Sequence, residues 1–378
     1  MTTKKKKTLS FITLFILGAG FGYLIGKLII ESDLTVSKTT LIVVLLSIIP
    51  IFFVVIAIHE AGHAYAGIKV NFDFRMYIVG PFLWTKEQSK WFFKWNKNVN
   101  TAGGLVVCLP THTHNLNKRF AIYAAGGPIA SLLLTILSFL LFAIIRNLNT
   151  QNQLVLEITS SLFLLIAVFS LFILIVTAIP FHSGGFSSDG ARIIRILKGG
   201  EAARFELLML KIIALTTSGT RPKNIDVNEL TEALSIAKKL KLPQGVYLHG
   251  MLHQTALDLG NLEAAEAHLK NYLDDIEEIP AGIRGMIYLD AAFFYGFAKH
   301  DLESAQEYWL QFKPSPFVPA CQVLATEAAI CVLMNNNEEA LLKINESFKN
   351  IPNMLDKGLG LALTEKLNVL RNKIENTG

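Results

Sequence analysis

Cysteine and charge are both scarce in this chain. Its three cysteines among 378 residues, Cys108, Cys321 and Cys331, have neither a paired nor a metal-ligand spacing. That excludes a disulfide framework and gives no sign of a thiol enzyme, so they read as packing residues. Charged residues make up only 17% and apolar ones 52%, a balance that points to a membrane protein. The shortage is uneven. Up to about residue 182 the text is oily, and from about residue 200 it turns amphipathic and charged. This divides the chain into a membrane part, 1–200, and an aqueous part, 201–378. The aqueous part is poor in β-branched runs and reads as helical.

Four apolar runs, near 8–30, 41–66, 120–145 and 154–180, reach the roughly 20 residues that a membrane-spanning helix needs. The first follows Lys4 to Lys7 but lacks a small-residue cleavage pattern, so it reads as a retained helix rather than a signal peptide. Gly18, Gly22 and Gly26 recur along it at a spacing that lets a neighbouring helix come close. The segment 68–119 carries eight basic residues against Asp73 and Glu87, whereas the connections 31–40 and 146–153 hold only Lys38 and Arg146. The excess of positive charge predicts a multi-pass protein of the cell membrane with this loop and both termini in the cytoplasm. Lys27 and Glu157 lie near helix ends and read as interfacial. Trp84, Trp91, Phe92, Phe93 and Trp95 alternate with lysines; beside several spans this pattern suits the lipid bilayer, and no nucleic acid partner is expected. His112 and His114 read as an exposed polar loop. Val70 to Val79 reads as strand, and its edge is a candidate surface for pairing with an unwound substrate peptide.

The second run ends in His59-Glu60-Ala61-Gly62-His63. On a helix the two histidines, four apart, share a face and can converge on one ion, while Glu60 projects about 100° away. This is the arrangement of a zinc hydrolase, in which zinc acidifies a water and the glutamate takes its proton. Three ionisable groups beside an apolar span are costly, which argues against an incidental polar cluster. A catalytic zinc takes three protein ligands. Asp189 is the leading candidate for the third, in Ile179-Pro180-Phe181-His182-Ser183-Gly184-Gly185-Phe186-Ser187-Ser188-Asp189-Gly190. Pro180 ends the fourth span on the same side as the histidines, and the glycines permit a return bend. His182 is the rival ligand. Asp189-Gly190 also reads as the cap of a helix over Ala191 to Leu197.

Taken with Ala124-Ala125-Gly126-Gly127-Pro128 and Thr101-Ala102-Gly103-Gly104, these motifs make residues 41–200 resemble the site-2 protease family of intramembrane zinc metalloproteases. The resemblance implies that the aspartate of the Asp-Gly pair completes a His, His, Asp zinc site. It implies hydrolysis of membrane-spanning or membrane-anchored peptides. Two positions depart from the family pattern: Ser131 stands where many members carry asparagine, and Ala178-Ile179-Pro180 replaces an Asn-Pro nearer the Asp-Gly.

In the aqueous part Gly260-Asn261-Leu262-Glu263-Ala264-Ala265, His300-Asp301-Leu302-Glu303-Ser304-Ala305 and Asn336-Asn337-Glu338-Glu339-Ala340 recur about every 35 to 40 residues, near the length of tetratricopeptide-like hairpins. Such arrays offer a concave surface to a protein partner. The expectation is an all-α polytopic membrane protein of four transmembrane helices, with a small β-containing cytoplasmic loop and a C-terminal helical-repeat domain. Its expected activity is that of a zinc endopeptidase with metal ligands His59, His63 and Asp189 and catalytic Glu60. A catalytically silent scaffold that recruits partners through the repeats is the alternative. A transporter is disfavoured because the sequence lacks broken helices in matching halves.

Overall fold

In lipid the backbone must satisfy its own hydrogen bonds, so uninterrupted apolar runs become helices. The computed structural model describes residues 36–87, 90–96, 103–148, 151–183, 186–279, 284–314 and 318–376. The first apolar run, with Lys4 to Lys7, the Gly18, Gly22 and Gly26 spacing and Lys27, lies outside the described residues. Among those described, three helices are long and apolar enough to cross a membrane: α1 (Lys38–Lys69), α2 (Leu116–Arg146) and α3 (Gln153–Ala178). The Ser37 side chain caps α1 by accepting from the Thr40 amide at 3.2 Å. Glu157, in the first turns of α3, accepts from the Ser37 amide at 2.5 Å. The residue read as interfacial therefore ties the starts of α1 and α3 together.

The α1 and α2 backbones touch at Gly62 and Gly126. A Cβ on Gly62 would lie 2.3 Å from the Gly126 carbonyl oxygen, and one on Gly126 would lie 2.4 Å from that of Gly62. Only glycine at both positions permits this approach. Ser170 of α3 donates to the Ser131 carbonyl of α2 at 2.8 Å, which adds the third helix.

Between α1 and α2 the chain forms an antiparallel sheet of β1 (Phe72–Val79), β2 (Phe82–Glu87), β3 (Lys90–Trp95) and β4 (Leu105–Pro110), ordered β3-β2-β1-β4. Its inner side buries Phe72, Val106 and Cys108 against Ala64, Phe120 and Tyr123. Arg119 fastens the α1–β1 turn, donating to the Val70 and Asn71 carbonyls at 2.7 and 2.9 Å and lying over the Phe72 ring. It also reaches His112, which with His114 belongs to an exposed loop as expected. Strand β1 is an interior strand: Met76 to Ile78 pair with both β2 and β4. The part of the expected edge at Met76 to Ile78 is therefore covered on both sides, while among the described residues Phe72 to Phe74 pair with β4 alone. The edge strands are β3 and β4, and on β3 Trp91, Phe92, Phe93 and Trp95 are exposed.

Helix α3 stops at Ala178, two residues before Pro180, because the residue preceding proline is pushed out of helical conformation. A short hairpin, β5 (His182–Ser183) and β6 (Phe186–Ser187), returns the chain to α4 (Asp189–Lys198). The chain then turns through Gly199 and Gly200, at φ +70° and +83°. Helix α5 (Glu201–Ser218) follows, packed on β4 and α2. Next come α6 (Val227–Leu240), α7 (Gly245–Asp258), α8 (Leu262–Asp274), α9 (Gly285–Phe294), α10 (Leu302–Gln311), α11 (Ala320–Leu333), α12 (Asn337–Asn350) and α13 (Lys357–Glu375). Helices α7 and α8, α9 and α10, and α11 and α12 pack in pairs. Each pair turns at a residue of positive φ: Gly260, His300 or Asn335. An Asn or Asp cap follows, Asn261, Asp301 or Asn336, and then a fully buried alanine, Ala265, Ala305 or Ala340. Cys108 and Cys321 are buried and all three cysteines are unpaired.

Candidate metal centre

The four-residue spacing of His59 and His63 on α1 turns both rings towards α2. There, Gly127 leaves room for them: a Cβ at that position would sit 2.3 Å from His63 Nε2 and 2.6 Å from His59 Nε2. Each ring is held through its other nitrogen. His63 Nδ1 donates to the Tyr123 carbonyl at 2.9 Å, one residue before the carbonyl that Pro128 leaves without its helical donor. His59 Nδ1 lies 2.9 Å from Ser131 Oγ. Ser131, a departure from the family pattern, thus orients the first histidine. Both imidazoles are buried.

The third group arrives from 126 residues beyond His63 in the chain. Ser188, rather than Asp189, caps α4: its Oγ accepts from the Ala191 amide at 3.2 Å. Asp189 is the first helical residue, and its carboxylate is free to face the histidines. Gly190 makes this possible by packing against the end of α3, where a Cβ would fall 1.8 Å from the Ala178 carbonyl oxygen. Asp189 Oδ2 lies 3.3 Å from both His59 Nε2 and His63 Nε2. Burial opposes its charge, yet the two imidazoles hold its carboxyl well below the usual carboxylate range.

His59, His63 and Asp189 form a candidate metal group whose ligand atoms all lie within 4.8 Å of one another. The donor set fits a tetrahedral divalent ion, since bonds of about 2.0–2.1 Å place neighbouring ligand atoms roughly 3.3 Å apart. Neutral imidazoles that donate from Nδ1 turn lone pairs at Nε2 towards a carboxylate, an arrangement that a shared cation stabilises. His182 pairs with Ser187 in the hairpin, and its side chain is outside what is described.

Glu60 lies in the same cavity, of about 240 Å³, with Asp189 and Gly104. Gly104, at φ +106°, has no room for a side chain because its Cβ would meet Glu60 Oε1 at 2.6 Å. The Val106 backbone amide faces the Glu60 carboxylate, and the Val106 carbonyl accepts from Tyr123 Oη at 2.8 Å. Strand β4 is thereby docked on the helices that carry the site. Arg192, one turn beyond Asp189, also lines the cavity. Among the described residues no ion pair engages it.

The sequence model of Peptidase family M50 matches residues 47–291, more than half of the chain. The chain belongs to Peptidase family M50. The resemblance to site-2 proteases read from the motifs is thus borne out, and the match runs beyond residue 200 into α9. No curated protein and no solved structure matches the chain. As an M50 metallopeptidase it belongs among enzymes that cleave membrane-anchored substrates, and the family implies zinc. The sequence did not point to Gly127, Arg192 or the amide of Val106. Gly126-Gly127-Pro128 marked the right helix, but which glycine faces which imidazole depends on where the helices cross.

Proposed function

We propose that this M50 peptidase is a zinc-dependent intramembrane endopeptidase, with His59, His63 and Asp189 as metal ligands and Glu60 as general base. The observation that carries this reading is one carboxylate oxygen of Asp189 lying 3.3 Å from each of two Nε2 atoms, beside Glu60 in one cavity. Bound zinc would supply Lewis acidity, which makes a water nucleophilic near neutral pH and polarises a carbonyl. Glu60 takes a proton from the attacking water and delivers it to the departing amine nitrogen. Arg192, a cation without an ion-pair partner among the described residues, donates to the carbonyl oxygen as negative charge grows there. Gly103 to Leu105 line the cavity, and the substrate backbone passes along them; the adjoining Val106 is already engaged.

The substrates are membrane-spanning or membrane-anchored peptides, because the site is reached among apolar helices. Both termini and the sheet lie on the cytoplasmic side, a reading supported by the basic loop. Residues 1–200 act as the protease unit and 201–378 as a helical-repeat unit that recruits a protein partner. The three equivalent turns with buried alanines support the repeat reading. The test is Glu60→Gln in purified protein. Retained stoichiometric zinc with proteolysis lowered by at least about a thousandfold is expected. Equal proteolysis by both forms would overturn the role of Glu60, and absence of zinc from both would overturn the metal reading.

A further inference from the structure

The C-terminal helices enclose a second polar cavity, remote in sequence from the metal centre. It is lined from α7 by Gln254, from α9 by Asp290, from α11 by Gln322 and Thr326, and from α13 by Lys366, with leucines and Phe293 forming the apolar wall. Its volume is about 20 Å³, room for one small head group; a single water needs at least about 10–15 Å³. Helices α7, α9 and α11 are the first members of the three packed pairs, and each contributes to the cavity wall.

The charges around the cavity are unequally matched. Asp258 is gripped by Arg221 at 2.6 and 3.3 Å and by the Lys223 amide at 3.1 Å, with Lys366 at 3.5 Å. Arg221 also pairs with Glu365. Two cations and two carboxylates therefore balance one another. Asp290 stands outside this balance: the Gln254 side-chain amide donates to its Oδ1 at 3.0 Å. Among the described residues no cation lies within ion-pair distance of it. Asp290 is half-buried and lines the cavity, and the desolvation there pushes its carboxyl up to about 7, against the smaller opposing pull of Gln254. A half-buried, desolvated acid of this kind gains most from a ligand that brings both positive charge and N–H donors.

We propose that this cavity receives the primary ammonium group of a peptide, held by Asp290 with Thr326 and Gln322 as further acceptors. The size admits the head group and not a whole amino acid. The apolar wall suits the aliphatic or peptide framework that carries the head group. A lysine side chain and a peptide N-terminus present the same chemistry, so the experiment must separate them. Among the described residues Lys366 is the one cation lining the cavity, and it lies 3.5 Å from Asp258.

The proposal is tested by fluorescence anisotropy on the full-length protein in detergent micelles with three dye-labelled peptides. One has a free N-terminus and no lysine, one is acetylated and contains a single lysine, and one is acetylated without lysine. At least one ammonium-bearing peptide should bind about tenfold or more tightly than the neutral control, a difference expected of a charge-assisted contact. The favoured peptide identifies the source. Asp290→Asn should erase the preference, and Thr326→Val should reduce it. For the wild type the preference should weaken as pH falls below about 7, as Asp290 takes up its proton. Equal binding of all three peptides to the wild type, as expected if only water occupies the cavity, would overturn the proposal. So would a preference that survives Asp290→Asn. If that variant fails to fold, the wild-type comparison and Thr326→Val still decide.

Discussion

At the scale of single residues the candidate metal centre is built from absent side chains as much as from present ones. Gly127→Ala places a methyl group 2.3 Å from His63 Nε2 and 2.6 Å from His59 Nε2. Zinc content, measured by elemental analysis, should fall to near zero while the helical circular dichroism signal persists; full zinc occupancy in the folded variant would contradict the ligand assignment. Ser131→Ala is a milder probe. It removes the partner of His59 Nδ1, and loss of such an orienting contact typically costs about 10–100-fold in metal affinity. Competition with a chelator should show that loss, and an unchanged affinity would mean that Ser131 does not orient His59. His59, Glu60 and His63 were legible in the sequence because one helix carries them at fixed spacing. Asp189 was legible because Pro180 and the glycines of the return bend marked it. Gly127, Ser131 and Arg192 were not, since their roles arise from a helix crossing and a return bend, which local periodicity does not encode.

At the scale of elements, two close backbone contacts carry Asp189 to the histidines. Gly62 and Gly126 set the α1–α2 crossing, and Gly190 sets α4 against the end of α3. In Gly190→Val the side chain would collide with the Ala178 carbonyl, which belongs to backbone and cannot swing aside. Helix α4 should shift, Asp189 should leave the cluster, and zinc affinity should fall by at least about a hundredfold. Substitution of the cap gives the contrast. Ser188→Ala loses the cap to the Ala191 amide together with the hydroxyl's contacts to the Phe181 amide and the Ile179 carbonyl, on the order of 2–4 kcal/mol of local stability, but it puts no atom against backbone and should leave stoichiometric zinc binding intact. Chelator titration of the two variants tests the distinction, and similar affinities would refute it. The same scale shows where sequence reading failed. The strand content of Val70 to Val79 was evident from its aromatic and β-branched residues, but strand order was not, because β4 arrives from about 30 residues further along and covers the edge that β1 would otherwise expose. The turns at Asn261, Asp301 and Asn336 were legible because capping chemistry is local.

At the scale of the whole molecule, the C-terminal helices hold a half-buried carboxyl, Asp290, and a buried imidazole, His253, whose effects on stability oppose each other. Burial pushes Asp290 up to about 7 and His253 down to about 4, against ordinary values of about 3.9 and 6.5 in an unfolded chain. Folded Asp290 holds its proton more tightly than the unfolded chain does. Its stabilising contribution is complete below about pH 4 and is lost as pH rises towards about 7. Folded His253 resists its proton, so its contribution is complete above about pH 6.5 and is lost as pH falls towards about 4. Between these limits the two slopes run in opposite directions. Asp290→Asn removes the slope of the acid and leaves that of the histidine. The stability of the variant minus that of the wild type should therefore increase from about pH 4 to about pH 7, by an amount on the order of a few kcal/mol. Calorimetry of both full-length proteins in detergent across that range measures the difference directly. A difference independent of pH would mean that Asp290 is solvated in the folded protein, and the inner cavity would then lack the uncompensated acid on which ammonium recognition depends.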